Sequence, residues 1–201
     1  MTLAPAKVAV MALGLAFAGC SLAPAPTPAP ASYDFGPAPA GRPKGSRQAL
    51  LVHDVSAPAW LDSPLIHYRL AYQDAARPLS YADSRWVMSP AALLTQRLRG
   101  QLAASGSGGI VLPGDAARAH YALRVELDEF AQIFDAPGKS RAVVRLRVSV
   151  TGNRTLLAQR DFNVERPANT PDAQGGVRAL IGASDEAIDQ LIGWAAGYLK
   201  D

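Results

Sequence analysis

The stretch that most constrains this chain is YALRVEL, residues 121–127, in which Tyr121, Leu123, Val125 and Leu127 alternate with Arg124 and Glu126. Successive strand residues point to opposite faces, so this pattern predicts a sheet with one apolar face and one wet face. Residues 141–150, RAVVRLRVSV, repeat it: Val144, Leu146, Val148 and Val150 stand on one side and Arg145, Arg147 and Ser149 on the other. Between the two runs the phase breaks. Glu129 falls where an apolar residue is due and Phe130 follows out of step, which predicts a bulge or strong bend. DAPGKS, residues 135–140, reads as a hairpin turn.

The rest of the foldable chain carries weaker versions of the same signals. ALLVHDV (49–55) and PLIHYRLAYQ (64–73) read as strands, the latter with Ile66, Tyr68, Leu70 and Tyr72 facing one way and His67, Arg69 and Ala71 the other. LSYADSRWVM (79–88) predicts a third strand ending near Trp86. A helix then starts with Ser89 as N-cap and Pro90 in its first turn, and Leu94, Leu98 and Leu102 form its apolar stripe. It ends at SGSGG, residues 105–109, which lacks the lysine and the strand-then-helix order of a phosphate loop. TGNRT (151–155) predicts another turn and LLAQRDFNV (156–164) another strand. From Thr170-Pro171-Asp172 a long helix buries Val177, Leu180, Ile181, Ile188, Leu191, Ile192 and Ala195, with Gly182 and Gly193 as candidate bend points. The order β-β-β-α-β-β-β-α predicts an α+β fold: an antiparallel or mixed sheet of about five to six strands, with two helices packed on its apolar face. Arg124, Glu126, Arg145 and Arg147 are expected on the opposite, solvated face.

Ahead of this domain lie two segments of different texture. Lys7 precedes eleven uninterrupted apolar residues, 8–18, a signal-peptide pattern too short for the ~17–25 residues of a membrane span. Cys20 is the single cysteine in the chain. With Ala18-Gly19 before it, it resembles the lipobox of bacterial lipoproteins, although Phe17 stands where leucine is usual. Ala16 and Ala18 would alternatively serve an ordinary A-x-A cleavage. The lipobox resemblance implies a covalent diacylglycerol and an N-acyl chain such as palmitate on Cys20, with no thiol left for disulfides. Ser21, in place of aspartate, implies the outer membrane, on its periplasmic face. Residues 22–46 hold seven prolines and few core-forming residues, so they are expected to stay unfolded as a tether of up to roughly 80 Å at ~3.1 Å per residue. The expected organisation is a signal peptide at 1–19, a lipidated cysteine and tether at 20–46, and one α+β domain at 47–201.

Chemistry is sparsely signalled. His53, His67 and His120 stand singly, without metal-site spacing, and are expected at the surface or at sheet edges. No serine lies in G-x-S-x-G. Glu126, Asp128 and Glu129 could be imagined as a paired-carboxylate site, but alternation puts Glu126 and Asp128 on the wet face, where salt bridges to Arg145 and Arg147 explain them more simply. The net charge is +3, and loss of Lys7 with the signal leaves 19 basic residues against 17 acidic ones, an unpromising balance for binding nucleic acid. No catalytic residue, metal or cofactor is indicated.

Residues 52–102 carry a strand, then WLDSP, then the alternating IHYR, then a tryptophan ahead of SPAALLTQRL; VELDEF and SRAVVRLRVSV follow later. In this order and spacing, from about residue 48 to the C-terminal helix, the chain resembles the ABC-type transport auxiliary lipoproteins, which include the PqiC-like lipoproteins. Trp60 stands where tyrosine is commoner. The resemblance implies a non-catalytic accessory subunit of an envelope phospholipid-transport system. Its implied partners are a periplasmic MCE-domain protein and, indirectly, an inner-membrane ABC permease and ATPase, with a homo-oligomeric collar as one arrangement. Tyr68, Arg69 and Trp86 are the candidate motif or interface positions. Two alternatives stay open, a lipid carrier with its own apolar cavity and an envelope hydrolase.

Overall fold

The computed structural model describes residues 29–39, 48–105 and 108–199. Cys20, the expected signal peptide and much of the expected tether lie outside the described residues.

The two alternating runs form the backbone of the fold. β6 (Tyr121–Ala136), β7 (Lys139–Gly152) and β8 (Thr155–Pro167) make an antiparallel ribbon. Pro137 and Gly138 close the first hairpin, with Gly138 at φ 75°, where an L side chain is strained. Asn153 and Arg154, at φ 49° and 67°, close the second as a two-residue turn whose twist matches the strands it joins.

The other edge of β6 is divided between two parallel neighbours. β2 (Leu50–Val52) pairs with residues 121–123 and β3 (Leu65–Leu70) with residues 132–134. Between them the chain keeps to the same edge: the Ser56 N–H donates to the Val125 carbonyl at 3.0 Å, and the Leu127 N–H donates to that of Ser56 at 2.7 Å. β4 (Leu79–Trp86) lies antiparallel to β3, β1 (Ala31–Tyr33) parallel to β4, and β5 (Ile110–Val111) parallel to β2. The result is an eight-stranded mixed sheet with three helices, α1 (Ala71–Asp74), α2 (Pro90–Ala104) and α3 (Ala173–Ala196).

The mixed α+β class agrees with the sequence expectation, while the five to six strands and two helices are corrected upward. The added elements, β1, β5 and α1, are two to four residues long, too short for any periodicity to register. β3 also ends earlier than its alternation suggested. Residues 71–74 turn helical, and Tyr72, expected on the apolar face, is exposed.

α2 and α3 cover the inner face. Ser89 caps α2 by accepting the Ala92 N–H at 3.4 Å, and Asp172 caps α3 by accepting that of Gly175 at 2.7 Å. Leu94, Leu98 and Leu102 of α2 and the Val177, Leu180, Ile188, Leu191, Ile192 and Ala195 stripe of α3 meet Val125, Leu127, Leu146 and Val148 in one continuous core. α3 approaches the sheet closely at Gly176, where the Gln132 side chain leaves no room for a Cβ. Gln132 is itself fully buried and satisfied, accepting from the Tyr81 hydroxyl and donating to Ser140 Oγ, both at 2.8 Å.

The predicted phase break is a bulge. Leu127 pairs with Leu146 and Glu129 with Arg145, leaving Asp128 as the extra residue. Phe130 thereby returns to the core face and Ala131 and Ile133 turn outward, where they form a small buried cluster with Val143, packed against Ala71 of α1. This half of the outer face is therefore covered, a correction to the expectation of a uniformly wet face.

The end of the supposed tether also folds. Residues 31–33 pair with residues 84–86 of β4, and Phe35, 6% exposed, enters the core between Trp86 and Phe130 at centroid distances of 5.7 and 6.2 Å. Arg97 holds the segment from the other side, donating to the Phe35 and Gly36 carbonyls with its guanidinium 5.7 Å from the Phe35 ring centroid. The proline density that suggested an unfolded spacer outweighed one aromatic residue in the reading of composition, but that residue finds a preformed aromatic slot. Phe35→Ala is expected to destabilise the domain by about 3–5 kcal/mol, the cost of truncating a core phenylalanine. Urea denaturation measures it, and a loss below ~1 kcal/mol would mean that the segment is not part of the core.

Candidate functional site

The three positions singled out from the resemblance occupy different environments. Trp86 is a core residue, 1% exposed and packed edge-on against Phe35 and Phe130. Tyr68 faces inward beside Tyr81 and Phe134, with centroids 4.7 and 5.9 Å away. Arg69, its neighbour on β3, points to the outer face and organises a polar cluster there.

Arg69 Nε lies 3.5 Å from Glu129 Oε1, its guanidinium stands 5.3 Å from the Trp60 ring centroid, and Nη1 donates to the Ala75 and Ala76 carbonyls at 3.3 Å. His67, two residues earlier on the same face, packs edge-on against Trp60 at 5.3 Å. Alternation places His67 and Arg69 on one face, whereas the broken phase at Glu129 signals a bulge and not the ion pair with Arg69. Trp60 gave no signal either, because it lies in a turn ahead of β3.

His67 is buried, contrary to the surface or edge position expected of it. Burial lowers its pKa from 6.5, assisted by Arg69, while backbone hydrogen bonds at Leu79 and Trp60 and the Glu129 carboxylate oppose the shift. Its Nε2 atom has no hydrogen-bond partner. Burial likewise raises the pKa of the Tyr81 phenol, which stays a donor to Gln132.

The remaining candidates lie apart from this cluster. Glu126 and Asp128 are on the outer face, and Asp128 pairs with Arg147 at 3.8 Å, while Arg147 bonds Asp161 more closely at 3.0 Å. Arg145 stands opposite Glu129 and Asn163 in the strand register. His53 and His120 line a cleft at the start of β6. Among the described residues no group of three His, Cys, Asp or Glu side chains is arranged to hold a metal.

A family model, that of the ABC-type transport auxiliary lipoprotein component, matches residues 33–192. The chain belongs to this family. The match begins at Tyr33, within β1, so the docked segment and Phe35 fall inside the family's domain, ahead of the resemblance seen from residue 48. A crystal structure of a Xanthomonas campestris protein shares the fold, with a TM-score of 0.67 at 21% identity over 84% of this chain and 92% of that one. An uncharacterised protein of known structure does so at TM-score 0.60 and 15% identity, over 82% of this chain and 97% of its own. No curated protein matches the chain by sequence. No helix among the described residues is long and apolar enough to cross a membrane.

The buried imidazole of this auxiliary lipoprotein has a measurable consequence. Between pH 6.5 and the lower folded-state pKa of His67, the unfolded chain binds a proton that the folded chain does not. Its contribution to stability is therefore complete above about pH 6.5 and declines as the pH falls below that value. His67→Gln is expected to flatten the stability-pH profile below pH 6.5 in urea titrations, and an unchanged slope would contradict this.

Proposed function

We propose that this chain is an outer-membrane-anchored periplasmic lipoprotein, acylated on Cys20, that serves an envelope phospholipid-transport system of the MCE/ABC type as a non-catalytic docking subunit. Family membership supports the association with an ABC transport system. The observation that carries the mechanical part is the docking of Phe35. Only ten residues, 21–30, separate Cys20 from β1, and in polyproline II, at ~3.1 Å each, they would span about 31 Å. The domain is thus held near its membrane, within a shorter radius than a tether ending at residue 46 would allow. Confinement raises the effective concentration of a partner that crosses the periplasm to meet it, so a modest interface suffices.

The charged outer face, with Arg124, Arg145, Arg147 and Asp161, suits such an interface better than the interior suits a lipid. Val52, Leu61, Ile66, Leu127, Val144, Val148, Leu180 and Leu191 each have 0% exposed surface, so their side chains line no space into which an acyl chain fits. This favours docking over an interior carrier.

Photo-crosslinking residues at positions 145 and 163, in intact cells, are expected to capture an MCE-domain protein. Failure to do so, while known envelope neighbours of other lipoproteins are captured, would overturn the docking role. Independently, Cys20→Ala is expected to release the protein from the membrane fraction.

A further inference from the structure

A cleft of about 710 Å³ lies at the opposite end of β6 from the β6–β7 hairpin. Its wall is built from the end of β2, the connection from β5 into β6, and the β7–β8 hairpin tip. Two bonds fix this corner: the Asn153 N–H donates to the His120 carbonyl at 3.0 Å, and His120 Nδ1 lies 3.3 Å from Asn153 Oδ1.

The cleft has two chemical halves. Leu51, Val111, Leu112, Pro113 and Tyr121 make an apolar wall, on which Leu112 is 38% exposed. Arg118, Arg154, His53 and His120 supply the basic side. The one acid in the lining, Asp115, is engaged in its own turn, where Oδ2 accepts the Leu112 N–H at 2.7 Å. Among the described residues Arg118 and Arg154 have no carboxylate partner, a state they share with Arg77, Arg85, Arg124, Arg145, Arg160 and Arg178; what sets them apart is that both line this cleft. Exposed apolar surface continues beyond the cleft. Leu157, 43% exposed, flanks Gly152 together with Tyr121, and Leu156 beside it is 56% exposed.

Two arginines without a carboxylate partner lining one cleft suit a phosphate, which accepts the planar N–H pairs of a guanidinium. The apolar wall suits a body attached to that phosphate, and the volume falls within the range of small-molecule sites. We infer that this cleft binds a phosphate-bearing amphiphile, with the phosphate between Arg118 and Arg154 and the apolar body along Leu112 and Tyr121 toward Leu157. This site is on the surface and is separate from both the filled core and the outer sheet face assigned to docking.

The test titrates the purified full-length protein in nonionic detergent with dihexanoyl phosphatidylglycerol, inorganic phosphate and dihexanoylglycerol, by calorimetry. Saturable binding of the phospholipid is expected, at least tenfold tighter than either of the other two probes. Arg118→Gln combined with Arg154→Gln should weaken it at least tenfold, and Leu112→Ser should weaken it while leaving the weak phosphate response unchanged. Arg145→Gln, on the outer sheet face, should leave it intact. The inference is overturned if the phospholipid does not bind, if inorganic phosphate binds as tightly, or if the double variant binds like the parent while retaining its thermal transition.

Discussion

One inserted residue, Asp128, sets much of this structure. Without it, the alternation that begins at Tyr121 would carry Phe130 to the solvent face and Glu129 into the core. With Asp128 bulged out, Phe130 turns inward to meet Trp86 and Glu129 turns outward to meet Arg69. The same shift gives Ala131 and Ile133 an outward direction that only the short helix after β3 makes tolerable, because Ala71 and Val143 bury them. A bulge thus converts a simple two-faced ribbon into one whose far half is covered on both sides.

The aromatic slot that results receives Phe35. A segment that composition assigns to a spacer becomes a short parallel strand and a core anchor, held by the buried guanidinium of Arg97, whose own charge is balanced by Asp185 at 3.3 Å. The chain of dependence runs from the bulge, through Phe130, to the point in the sequence at which the folded domain begins. A backbone irregularity in the sheet thus decides where the folded chain starts, at β1 rather than at β2.

Long-period features were legible in the sequence and short ones were not. The β6–β7–β8 ribbon, the cap at Ser89, the opening of α3 near Asp172 and the break at Glu129 each had a repeating or positional signature spanning many residues. β1, β5 and α1 had none, since two to four residues hold no period and their structure comes from the neighbours they pair with. Of the site, the shared face of His67 and Arg69 could be read from alternation. The burial of His67 could not, because it depends on Trp60 arriving from a turn. That Arg118 and Arg154, 36 positions apart, line one cleft depends on the register of β6 against β7 and has no local sequence signal.

Hydrogen exchange tests the docking of the N-terminal segment most directly. Val87 donates its N–H to the Tyr33 carbonyl at 2.8 Å, a bond that exists only while β1 is seated. Val87 and the peptide spanning residues 31–36 are expected to exchange as slowly as the β3–β4 pair does, and to lose their protection together when the ring at position 35 is removed. Exchange of residues 31–36 at the rate of a free chain in the intact protein, with β3 and β4 still protected, would contradict the docking.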